Sequence, residues 1–130
     1  MNRQKLQLTY TFHCNPLDLF YALYQPETLK NWFAEEVEYN EPTKTYTFRW
    51  SGASEKARLL EKDDEILSVR LEWLNEEALK NKEYLYFQVG ELEDDSTVLL
   101  NIIDFCDDNE VENQRKYWEE QLHHLDMMLT

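Results

Sequence analysis

Residues 108–130 read DNEVENQRKYWEEQLHHLDMMLT, and this stretch decides the fold. Trp118, Leu122, Leu125 and Leu129 recur at steps of four, three and four, which stacks them along one side of a helix. Arg115, Glu119, Glu120, His123 and Asp126 mostly fall elsewhere around the cylinder, so the helix is amphipathic. Asp107, Asp108 or Asn109 can cap its start, and Glu110 and Glu112 suit the positive end of its dipole. Almost everything before it reads as β-strand. A helix with one apolar stripe that arrives after a run of strands must bury that stripe on their sheet.

The strands are read from alternation. Leu6, Leu8, Tyr10 and Phe12 alternate with Gln7, Thr9, Thr11 and His13, which predicts a strand with one buried face. Asn15-Pro16 stops it and starts a short helix to Tyr24, and Pro26 opens a second that runs to about Trp32. Period two then returns. Val37 and Tyr39 lead one strand, and Tyr46, Phe48 and Trp50 the next. Ser51-Gly52 marks a hairpin, and Ala57 and Leu59 follow it. Leu67, Val69, Leu71 and Trp73 make a further strand, Asn75 to Asn81 a connection, and Leu85, Phe87 and Val89 another strand. Val98 to Phe105 is apolar at both parities except at Asn101 and Asp104, so periodicity leaves its inward face open. So apolar an outward face favours a covered strand, and a homodimer contact is the expectation there. The order is strand, two short helices, six strands and a long helix. Short turns between successive strands make the sheet mainly antiparallel.

Composition bounds the function. The 130 residues suit one domain, 1–130, with one sizeable core. No apolar run is long enough to span a membrane or to form a signal-peptide core, so the expected location is the cytoplasm. A net charge of −14 with no Lys/Arg stripe disfavours nucleic acid and anionic membrane surfaces. The acids cluster in runs at Glu61 to Glu65, at Glu91 with Glu93 to Asp95, and at Asp104 to Glu110. Each run is read as a turn or strand end that discourages edge pairing. Neither Asp94-Asp95 nor Asp107-Asp108 has the spacing or glycine of a calcium loop.

Motifs for chemistry are few. Gly52 and Gly90 are too far apart for a phosphate loop, and Gly90 is read as a bulge or a close approach. Cys14 and Cys106 form no metal motif, and no cofactor or metal is expected. Ser51, Ser54, Ser68 and Ser96 lie in no nucleophile context. His123 and His124 are adjacent, so they point about 100° apart on a helix and are read as surface residues facing Glu119 and Glu120. Arg49, Arg70 and Glu72 alternate with apolar residues and should face away from the helix.

This order resembles the START-like or Bet v 1-like (SRPBCC) superfamily, and most of all its branch named after the activator of Hsp90 ATPase. The resemblance rests on Leu29-Lys30-Asn31-Trp32-Phe33, Phe48-Arg49-Trp50-Ser51-Gly52, Arg70-Leu71-Glu72-Trp73, and Trp118 with Leu122 and Leu125. It covers the whole chain and looks most like the compact bacterial START-like proteins. It implies an α+β helix-grip fold: a curved, mainly antiparallel seven-stranded sheet around the C-terminal helix, with two short helices closing one end. It also implies a cavity between helix and sheet. By analogy Tyr46, Phe48, Trp50, Val69, Leu71, Trp73, Phe87 and Trp118 would line it, with Tyr10 or Gln121 as polar groups that orient a ligand. The strand parities point those apolar residues the same way.

The leading expectation is a non-enzymatic domain that binds a small apolar ligand. A protein-interaction role like that of the Hsp90 activator, and an enzyme on the same fold, are the alternatives. The many aromatic rings cut both ways: they fill the grip, or they leave a small pocket. An enzyme would need a buried titratable group facing that pocket, and alternation nominates none.

Overall fold

The computed structural model describes residues 2–91 and 97–129. The acid run through Glu93, Asp94 and Asp95, and Ser96 beside it, lie outside them. The chain runs β1 (Arg3–Phe12), α1 (Pro16–Ala22), α2 (Pro26–Trp32), β2 (Glu36–Asn40), β3 (Thr45–Trp50), β4 (Ala53–Asp63) and β5 (Ser68–Trp73). It continues through α3 (Glu76–Asn81), β6 (Tyr84–Glu91), β7 (Val98–Asp107), a 3₁₀ turn (Asp108–Glu110) and α4 (Val111–Leu129).

The strands form one seven-stranded curved antiparallel sheet in the order β1-β7-β6-β5-β4-β3-β2. Six strands therefore pair as a meander, and β1 returns to lie against β7, with Arg3 opposite Asp107 and Phe12 opposite Val98. The helix-grip fold expected from the sequence is what is found. Helix α4 lays Trp118, Leu122 and Leu125 against the sheet and leaves His123 and His124 exposed. Each buried side chain of that size contributes about 1.5–3 kcal/mol relative to an exposed one.

The short helices start as their sequences dictate. Asn15 accepts from the Leu17 amide at 2.8 Å and Pro16 fills the first helical position. Helix α1 ends at Ala22, two residues before the expected Tyr24. Segment 76–81, expected as a plain connection, is helical. Asn75 caps it by accepting from Ala78 N–H at 2.8 Å, and Lys82 ends it in the left-handed region at φ 56°.

Two turn expectations also meet the structure. Gly52 takes φ 80° in the β3–β4 turn, as a hairpin glycine can. Gly90 pairs with Leu99 in regular register, so it marks no bulge, and an added Cβ would make ordinary contact with Leu99 at 3.7 Å. The register shift falls instead in β4, between Leu59 and Glu61.

Strand β7 resolves the ambiguity of the sequence. Val98, Leu100, Ile102, Asp104 and Cys106 face the core, while Leu99, Asn101, Ile103 and Phe105 face out. Asp104, grouped with the acids of a strand end, is thus a buried carboxylate on the helix-facing side. On the outer face Arg70 stacks over Tyr84 at 4.4 Å and Tyr86 at 4.9 Å, and Arg49 pairs with Glu38 at 3.2 Å.

Candidate functional site

Asp104 is the hub of the site. Alternation along β7 turns it inward at the level where the first turns of α4 cross the sheet. There Trp73, at the end of β5, donates its indole N–H to Oδ1 at 3.2 Å. Gln114 and Trp118 of α4 donate to Oδ2 at 3.1 and 3.2 Å. The Phe105 amide adds a backbone hydrogen bond. Indoles are donors only, so the oxygens of Asp104 are the acceptors in these contacts.

Burial raises the Asp104 carboxyl above its ordinary value, and the N–H donors oppose that shift in part. The donor set suits a carboxylate, because a protonated Asp104 would place an O–H against groups that mostly donate. A hydrogen-bonded hub of this kind fixes how α4 sits on β5 and β7.

A second hub lies beside it. The Phe33 carbonyl, just past α2, accepts from Trp50 Nε1 at 2.9 Å and from the Tyr117 hydroxyl at 3.2 Å. Burial raises the Tyr117 phenol well above its ordinary range. The Phe33 ring packs against Phe48, Trp50 and Trp118 with centroids 4.9, 5.6 and 5.7 Å away. All four tryptophans thus have a bonded indole N–H, since Trp32 donates to the Ala22 carbonyl at 2.8 Å.

Between these hubs, at the end of the grip where α4 begins, lies a cavity of about 320 Å³. Its walls are Phe33, Trp50, Trp73, Phe105, Tyr117 and Trp118. Polar groups complete it: Arg3, Glu55, Asn75, Glu83, Asp104 and Gln114. Arg3 is held by both oxygens of Glu83, at 2.6 and 2.7 Å, and by Asp107 at 2.9 Å. Glu83 is only 2% exposed, so this pair closes the cavity wall with a desolvated carboxylate.

Of the residues nominated from the sequence, Trp50, Trp73 and Trp118 line this cavity together. Tyr46, Phe48, Val69, Leu71 and Phe87 lie in the packed core beneath it. The Tyr46 hydroxyl donates to the Tyr24 carbonyl. Tyr10 and Gln121 are half-buried and stand outside the cavity lining. Asp104, Glu83, Arg3, Gln114 and Tyr117 were not nominated. The one sequence signal for Asp104 was its parity with Leu100, Ile102 and Cys106, which is informative only once the face of β7 is known.

Comparison with known proteins agrees with this architecture. The model of the START-like superfamily domain matches residues 1–130. An uncharacterised protein from Bacillus thuringiensis superposes with TM-score 0.79 at 13% identity, covering 97% of this chain and 98% of its own. The Aha1 dimer from Colwellia psychrerythraea gives 0.77 at 15% identity, over 97% and 96% of the two chains. CalU16 from Micromonospora echinospora gives 0.71 at 14% identity, over 97% of this chain and 74% of that one. No curated protein matches the sequence. Likeness at such identities carries the fold alone, but the family match spans every residue, and the chain belongs to the START-like superfamily.

Proposed function

We propose that residues 1–130 form one ligand-holding START-like unit that takes a small molecule with a largely apolar body. The observation that supports this is the 320 Å³ cavity walled by six aromatic residues around a buried carboxylate. Ligand sites are concave and mostly apolar, with a few placed polar groups, and this cavity stands at the small end of their range. Its volume is that of about ten water molecules. Apolar burial between α4 and the sheet supplies affinity, and the polar rim orients the ligand. Trp50, Trp73 and Trp118 are the nominated residues on which this reading now rests. Native mass spectrometry of protein purified from its own host tests it. The expected result is an added mass that leaves on denaturation; a clean apo mass, with no ligand found by thermal-shift screening, refutes it. Both cysteines are free, which fits a reducing cytoplasm.

A second reading concerns the outer face of the sheet. Leu99, Ile103 and Phe105 lie there half-buried, with Phe105 against Tyr84 at 5.1 Å. This apolar row supports a protein contact, with a second copy of the chain as the first choice. One similar fold, the Aha1 of Colwellia psychrerythraea, was solved as a dimer. Light scattering should give a dimer that Ile103→Glu splits; a wild-type monomer at high concentration removes this reading.

A further inference from the structure

The cavity is rich in acceptors and poor in donors. Its tryptophan N–H groups are spent within the protein: Trp50 on the Phe33 carbonyl, and Trp73 and Trp118 on Asp104. The Tyr117 hydroxyl is spent on Phe33 as well. Asn75 donates to Glu55 at 3.4 Å, and Gln114 to Asp104. The aromatic surfaces and the Glu55 carboxylate remain for a guest; Asp104 already accepts four N–H donors and adds its charge rather than a free lone pair.

The charges point the same way. The lining holds one cation, Arg3, and three carboxylates, Glu55, Glu83 and Asp104. Arg3 commits three of its five N–H groups to Glu83 and Asp107, and Glu77 stands 3.7 Å from it. Its charge is therefore already matched. The charge of Asp104 meets only neutral N–H donors. The positive end of α4 also points here, but Asp107, Asp108, Glu110 and Glu112 crowd it. A net charge of −14 over the chain deepens the same potential. Trp50, Trp73 and Tyr117 are half-buried, so each keeps surface open, and indole and phenol faces attract cations.

We propose that the ligand is a small organic cation, with an ammonium or amidinium nitrogen on an apolar body. The body lies against Trp50, Trp73 and Tyr117, the cationic N–H groups face Glu55, and the charge of Asp104 attracts them from beneath. This deepens the ligand-holding reading above and rests on it.

Three probes of one shape test the idea: phenylbutylammonium, phenylbutanol and phenylbutyrate. Titration calorimetry ranks them, and the indole N–H signals locate them by nuclear magnetic resonance. The ammonium should bind about tenfold tighter than the carboxylate, with the alcohol between. The signals of Trp73 and Trp118 should move, while that of Trp32, bonded to Ala22 and outside the lining, should stay. Added salt should shrink the preference. Glu55→Gln should reduce it by about threefold, since one of the facing charges is gone. Glu55 is half-exposed, so this variant keeps the fold. Alcohol equal to ammonium, or carboxylate tighter, overturns the cation proposal and leaves the pocket standing. No binding by any probe, with unmoved Trp73 and Trp118 signals, overturns both. Movement of all tryptophan signals alike would mean diffuse attraction to an acidic surface, and overturns the proposal too.

Discussion

The substitution Asp104→Asn keeps the shape of the hub and changes one acceptor into a donor. In the native protein Oδ1 receives Trp73, and Oδ2 receives Gln114 and Trp118. The new amide nitrogen must face one of these sets. Turned toward Trp73 it meets a single indole N–H; turned the other way it meets two donors. The first costs less and still leaves the partly buried Trp73 N–H without its acceptor, a penalty toward the lower end of about 1–3 kcal/mol. The variant also sheds a desolvated charge, so the lower part of that range is expected at neutral pH. Urea unfolding followed by circular dichroism measures it. An Asp104→Asn protein within about 0.5 kcal/mol of wild type would refute the hub. The pH dependence has a definite sign. Burial raises the Asp104 carboxyl above the ordinary 3.8, so the folded state holds this proton more tightly than the unfolded state. The stability it contributes is complete below 3.8 and falls as pH rises through the raised value. The asparagine side chain does not titrate. The stability gap between wild type and variant should therefore be widest in acid and narrow as pH rises. A gap that widens with pH would mean that the four N–H donors outweigh burial. A double-mutant cycle with Trp73→Phe should give a coupling of about 0.5–3 kcal/mol.

Arg3→Met should be costly for a residue so near the chain start. It strands Glu83, whose side chain is 3% exposed, and the loss belongs near the lower end of about 3–5 kcal/mol because Arg3 itself is partly solvated. Adding Glu83→Leu should restore part of the unfolding midpoint; no recovery would count against a buried pair. Asn75→Ala removes the cap of α3 and should cost about 1 kcal/mol. Hydrogen exchange should quicken over residues 76–81 while α4 stays protected.

The sequence was most informative where one face is wet. Leu6 to Phe12 and Tyr46 to Trp50 alternate because one side of each strand meets the helix and the other meets water, and the structure keeps those parities. The stripe Trp118, Leu122 and Leu125 was legible for the same reason. Strand β7 was not, because its outer row of Leu99, Ile103 and Phe105 is as apolar as its inner row. That ambiguity hid Asp104, and with it the chemistry of the cavity. Helix α3 was hidden by its length: six residues hold less than two turns of pattern. Its cap, Asn75, followed by Glu76 and Glu77, was the readable sign. Lys44 and Leu67 adopt positive φ without a glycine, so their turns left no mark in the composition. Arg3 meets Glu83 only because β1 folds back across the sheet, and no local pattern encodes that pairing.

The place of β1 also has a consequence for how the protein is made. Strands β2 to β7 each pair with a neighbour in the chain, so this meander can assemble as it leaves the ribosome. Strand β1 is synthesised first and finds its partner last, because Arg3 must wait for Asp107 and Phe12 for Val98. Closing so long a loop is slow relative to hairpin formation, and it belongs late in folding. Until then the nascent chain carries Leu6, Leu8, Tyr10 and Phe12 as an unpaired apolar ribbon ahead of the meander. Gln4, Lys5, Gln7, Thr9 and Thr11, the exposed polar residues of that ribbon, disfavour its pairing with another chain while it waits.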